Sequence, residues 1–148
     1  MDTKTQLNDA MKEAMRAKDK VAKRTLTMVR AAIQQSEKDR RAELDETAVL
    51  AILQKELKSR QETITEATKA GRDDLVADTE EEILILKKYL PEAMPAEELR
   101  ALAEEVIAEL GASALTDMGN VMKVLIPRVA GRAPGGDISK TVRELLEG

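Results

Sequence analysis

The chain has 148 residues, with 24 Lys and Arg against 28 Asp and Glu for a net charge of −4, no cysteine, no histidine and one aromatic residue, Tyr89. Without Cys and His the sequence offers no disulfide, no thiolate nucleophile, no imidazole base and no imidazole metal ligand. One aromatic cannot build the row of stacking rings by which RRM or OB surfaces grip bases, and the acidic balance argues against indiscriminate coating of DNA.

Apolar residues recur with a period of about 3.6 along nearly the whole chain, and no stretch alternates with period two, so the expected fold is all-α. Leu7, Met11 and Met15 stack on a first helix, and Ala22, Leu26, Val29, Ile33 and Ser36 mark a second. Leu50, Leu53, Leu57, Ile64 and Ala67 mark a third, with Arg60 interrupting the stripe. Asp45 is placed to cap its start by accepting from free amides, and Gly71 suits the left-handed residue after its end. Asp73 or Asp74 opens a fourth, with Leu75, Thr79, Ile83, Leu86 and Leu90 along one side. The apolar run 83–86, with Tyr89 and Leu90, exceeds one face and predicts burial on more than one side. That helix should finish before Pro91, because proline disfavours helical geometry in the residue preceding it.

Two prolines within 91–95 mark the expected boundary between an N-terminal helical domain, 1–93, and a C-terminal three-helix domain, 94–148. Pro95 suits the first turn of a fifth helix, where Glu97 and Glu98 face the positive end of the dipole. Leu99, Leu102, Ala103, Val106, Ile107 and Leu110 form its stripe, and Gly111 ends it. A sixth helix is expected over 117–129, a loop over 131–137, and a last helix after Asp137 with Ile138, Val142, Leu145 and Leu146 inward. The architecture expected is a larger N-terminal helical bundle followed by a small three-helix bundle.

Chemistry is hard to find. The acidic runs at 80–82 and 104–105 read as solvated helix faces. No EF-hand or Glu-x-x-His spacing supports a metal, none of the four serines lies in a nucleophile motif, and the glycine-rich loop lacks the Lys and Ser/Thr of a phosphate loop. No catalytic residue, cofactor or metal is therefore expected. Met11, Met15, Met28, Met118 and Met122 read as core filling. Lys12, Arg16, Lys18, Lys20, Lys23 and Arg24 surround the first interhelical break and read, by default, as a solvated face. Residues 118–143 hold Lys123, Arg128, Arg132, Lys140 and Arg143 against Asp137 alone. Pro127 lies among them; it cannot donate to the Lys123 carbonyl, and a kink there is expected to swing Arg128 and Arg132 outward. No apolar run reaches the ~18 residues of a membrane span, and the N-terminus lacks the apolar core of a signal peptide, so a cytoplasmic chain without membrane association is expected.

Five strings, RTLTMVRAAIQ (24–34), LQKELKSRQETI (53–64), AGRDDLV (70–76), LKKYLPEAM (86–94) and DMGNVMKVLIPRV (117–129), give the chain its character. In that order, and covering nearly the whole length, they resemble the GatB/YqeY family. The resemblance implies two all-helical subdomains and a link to tRNA. The family's relative, the tail domain of the B subunit of the glutamine-dependent tRNA amidotransferase, helps to hold tRNA while other domains do the chemistry. The amidase subunit's serines and lysine, and the B subunit's ATP-using cradle, have no counterpart here. The resemblance thus implies a non-catalytic tRNA-binding accessory module, with Lys123, Arg128, Arg132, Lys140 and Arg143 as its RNA-facing surface. Tethering to tRNA-modifying or aminoacylation proteins would fit the same role. The alternatives are a component of a glutamine-dependent carbon–nitrogen ligase complex and a helical protein–protein adaptor. Two departures bear on the surface: Ala130 replaces a basic residue frequent in the family, and Lys123 stands where glycine is frequent.

Overall fold

The computed structural model describes residues 2–148 as seven α-helices and one 3-10 turn, with no strand among them. The helices are α1 (Thr3–Ala17), α2 (Lys20–Arg40), α3 (Glu46–Lys69), α4 (Asp73–Lys87), α5 (Ala96–Leu110), α6 (Met118–Val129) and α7 (Gly135–Glu147), with the 3-10 turn at Leu115–Asp117. Aspartates start the first three. Asp2 accepts from the Thr5 amide at 2.8 Å, Asp19 from Ala22 at 3.0 Å and Asp45 from Ala48 at 2.8 Å, each satisfying one of the donors a helix start leaves unpaired. Gly71, at φ 69°, takes the left-handed position beyond α3.

The chain divides into two compact units, one ending at Leu90 and one spanning Pro91–Gly148. In the first, α1 packs on α2 and α3, and α4 packs on α2 and α3. Leu7, Leu26, Val29, Val49, Leu53 and Leu86 are fully buried in its core, and Ile85, Tyr89 and Leu90 pack against them. In the second unit α5, α6 and α7 each pack on the other two, around Ala103, Val106, Val121, Leu125, Val129 and Val142.

Several expected positions move. Along α1 the buried row is Leu7, Met11 and Ala14, so the 3.6-residue period carries Met15 off the row and into solvent. Met28 is exposed beside buried Val29, whereas Met11, Met118 and Met122 fill the cores as expected. The run 83–86 is not buried all round: Ile83 and Leu86 face inward and Leu84 is 65% exposed. Helix α7 begins at Gly135, inside the expected loop, with Pro134 as its N-cap.

Arg60 does not interrupt the α3 stripe; it lies within it, only 6% exposed. Its Nη1 donates to Glu56 Oε2 at 2.6 Å and to the Glu56 carbonyl at 3.1 Å. Its Nη2 meets the Met28 sulfur at 3.7 Å, and its Nε faces Glu82 Oε2 of α4 at 3.2 Å, in ion-pair range although not aligned for a hydrogen bond. Arg24 of α2 holds the other Glu82 oxygen at 3.1 Å. Two cations and two anions thus alternate across α2, α3 and α4.

Lys18, Arg41 and Ala130 end their helices in left-handed conformations, with φ of 56°, 53° and 53°. A Cβ is strained in that region, whereas glycine is not. Conversely, Gly119 lies inside α6, where an added Cβ meets nothing within 4 Å. Ala130→Gly and Gly119→Ala should therefore each stabilise the protein, by roughly 0.5–1 kcal/mol, and raise the melting temperature together. A fall in melting temperature for either change would contradict these backbone assignments.

Candidate nucleic-acid interface

The five cations expected to face RNA do not form one surface. Arg128 is held by Glu109 of α5 in a two-pronged pair, Nη1–Oε1 3.1 Å and Nη2–Oε2 2.7 Å. This keeps the Glu109 carboxyl below its usual pKa and raises that of Arg128. Arg132 pairs likewise with Glu98, Nη1–Oε1 2.8 Å and Nη2–Oε2 3.1 Å, and its Nε donates to the Glu92 carbonyl at 3.0 Å. Its own carbonyl accepts from the Met94 amide at 2.8 Å. Both guanidiniums, expected to swing outward at Pro127, are instead turned onto the segment 92–109 of the same unit. Lys123 and Arg128 are also about 140° apart around α6, five steps of 100°.

Lys123, Lys140 and Arg143 are exposed and have no ion pair among the described residues. Lys140 and Arg143 are three residues apart on α7 and share a face. Lys123 lies elsewhere, in a groove with Leu110, Ala112, Asp117, Asn120 and Val124.

Asp117 shapes that groove by bending the chain ahead of α6. Its Oδ2 accepts from the Ser113 amide at 3.0 Å and the Ala114 amide at 3.1 Å, and those backbone bonds hold its pKa below the ordinary 3.8. A depressed carboxyl contributes stability that is present above the unfolded-state value and lost as pH falls through the folded one. The melting-temperature gap between the parent and Asp117→Asn should therefore be present at neutral pH and close below about pH 3.8. A gap independent of pH would refute the charged cap.

A second basic group, at the corner between α1 and α2, is more open. Only Lys18 and Asp19 separate the two helices. Lys12, Lys18, Lys20 and Lys23 are exposed there, without an ion pair among the described residues. The corner's acidic groups are engaged: Asp19 caps α2, and Glu13 bonds Arg16 at 2.7 Å. Arg24 is tied to Glu82. At 1.5 Å rise per residue, Lys12 and Lys23 both lie within about 10 Å of the turn along their helix axes. No group of three or more Asp and Glu among the described residues could hold a metal ion, and no described helix is long and apolar enough to cross a membrane.

The partners of Arg128 and Arg132 were not legible in the sequence, because Glu109 and Glu98 lie 19 and 34 residues away. The openness of the α1–α2 corner had a local signal, six basic and two acidic side chains within 12–24.

The chain is similar to three curated fungal proteins, each called "Altered inheritance of mitochondria protein 41, mitochondrial". It is 29% identical to that of Pyrenophora tritici-repentis over 92% of this chain and 76% of the relative. It is 37% identical to that of Eremothecium gossypii and 35% to that of Lachancea thermotolerans, over 74% of this chain in both. It spans about three fifths of the length of these last two, 61% and 60%. None of these names states a reaction. The names do correct the expectation of a cytoplasmic chain, since all three relatives are mitochondrial proteins. That expectation rested on a missing membrane span and a missing secretory core, features that do not separate the cytoplasm from the interior of an organelle. Residues 4–146 match the family of Yqey-like proteins, and with nearly its whole length inside that match the chain belongs to this family.

Proposed function

We propose that this protein is a non-catalytic module that docks on the phosphate backbone of tRNA, chiefly through the α1–α2 corner. The observation that carries the reading is the set of four exposed lysines, without an ion pair among the described residues, around one two-residue turn where Asp19 and Glu13 are engaged. Phosphate contacts fix register without reading sequence, and a surface of lysines without aromatics suits that task. Lys140 and Arg143 add a smaller contact on α7; Arg128 and Arg132 contribute little while bound to Glu109 and Glu98. The lack of Cys and His, and relatives whose names state no reaction, support a role without chemistry of its own. Any part in amidotransfer would then be played inside a complex whose other members supply the reaction.

The test is binding of an unmodified tRNA transcript to the full chain between 50 and 200 mM salt, about the range over which phosphate contacts weaken most visibly. Affinity should fall steeply and log-linearly as counterion release is suppressed. Absence of binding at the lowest salt, or an affinity indifferent to salt, would remove tRNA docking from consideration.

A further inference from the structure

Met15 and Met28 are the exposed methionines among the described residues, at 58% and 50%. They differ in what stands beside them. Met15 lies in the last turn of α1, whereas the Met28 sulfur on α2 is 3.7 Å from Nη2 of Arg60, which reaches across from α3. Arg60 is buried, its Nη1 is bonded to Glu56 and its Nε faces Glu82, so the sulfur stands as the acceptor for Nη2. A thioether is a weak acceptor, and here it serves a charged donor withdrawn from water.

Oxidation would improve that match. A sulfoxide replaces the weak acceptor with a polar oxygen. An oxygen on this sulfur, set obliquely to the line from sulfur to Nη2, falls within ordinary hydrogen-bond distance of the nitrogen. The three rotatable bonds of methionine let it turn there. The bond formed is charge-assisted, the stronger kind. In a core the same change inserts a polar group without a partner, which is the fate expected of buried Met11. Met28 is open to a small oxidant on its exposed side and backed on the other by the donor its oxidised form needs.

We propose that Met28 is a site of reversible oxidation by hydroperoxides, and that Arg60 holds the resulting sulfoxide. The sulfur lone pair attacks one peroxide oxygen, and the S–O bond forms as the O–O bond breaks. Sulfur gives up two electrons, and the departing oxygen takes the proton of the transferred hydroxyl, so hydrogen peroxide leaves as water. A sulfoxide reductase drawing two electrons from a dithiol returns the thioether and releases the added oxygen as water. Oxidation at this position adds a bond between α2 and α3 instead of loosening them.

The experiment exposes the full, isotope-labelled chain to hydrogen peroxide, with peptide mapping by mass spectrometry to follow each methionine. A Met15→Leu background leaves Met28 as the exposed target among the described residues. Met28 should oxidise well before Met11, the Arg60 Nε–Hε resonance should shift as it does, and the melting temperature should rise by about 2–4 °C. Oxidation of Met15 in a Met28→Leu background should move neither readout. Glutamine supplies a carbonyl oxygen in place of the sulfoxide, so Met28→Gln should melt about 2–4 °C above Met28→Leu, a gap absent between Met15→Gln and Met15→Leu. The proposal is overturned if Met28 oxidises no faster than Met11, if its oxidation lowers the melting temperature or leaves the Arg60 resonance in place, or if Gln has no advantage over Leu at this position.

Discussion

Arg60→Ala should cost this protein about 2–3 kcal/mol, because it removes a buried stem from the core and takes the cation from partly buried Glu56, while Glu82 keeps only Arg24. Glu82 and Glu56 both face the Arg60 guanidinium, and the side chain that would be lost is 6% exposed. Against a typical domain stability of about 5–15 kcal/mol, a loss of that size would leave a substantial unfolded fraction at modest temperature. Urea unfolding followed by circular dichroism reads the effect directly. The paired change Arg60→Met with Glu82→Gln should recover part of the loss, since an apolar stem refills the volume, Glu82 no longer faces it as a charge, and Glu56 and Arg24 are exposed enough to turn to water. If Arg60→Ala shifts stability by less than about 1 kcal/mol, the network is a surface decoration of the kind exposed ion pairs provide.

Changing Lys12, Lys18, Lys20 and Lys23 together to Gln should flatten the log–log salt slope of tRNA binding by about three to four units, at roughly 0.9 per phosphate contact by the duplex value. The fold should hardly respond, because exposed charges contribute at most about 1 kcal/mol each and usually less. Lys140→Gln with Arg143→Gln should flatten the slope by no more than about two units. A slope unchanged by the quadruple change and lost with the α7 pair would move the RNA contact to the C-terminal unit.

What the sequence made legible follows from the range of each interaction. Helix period and caps are local, so Asp45, Gly71 and the core rows through Leu53, Val106 and Val142 could be read from spacing alone. Arg60 could not. A guanidinium in an apolar stripe looks like an interruption until its neutralising carboxylate arrives from another helix, 22 residues along the chain. Long side chains also bury their stems while a polar head finds a partner, which a hydropathy pattern does not register. The same limit hid that the five cations do not share one surface. Five cations in 118–143 were visible, but Glu98 and Glu109, which engage two of them, belong to a different helix. Met15 and Leu110 show a smaller effect: each lies in the last turn of its helix and is exposed, Met15 because the buried row runs through Ala14 instead.

The bonds of Arg132 bear on where the C-terminal unit begins as an object that can be excised. Its first helical residue is Ala96, yet the Glu92 carbonyl and the Met94 amide are bonded to Arg132, ahead of that helix. The five residues before α5 are therefore a hem stitched to the α6–α7 connection rather than slack between units. A fragment starting at Pro91 carries every partner of that stitch. One starting at Ala96 keeps only Glu98, and leaves an arginine and a backbone carbonyl at the unit's edge to find water instead.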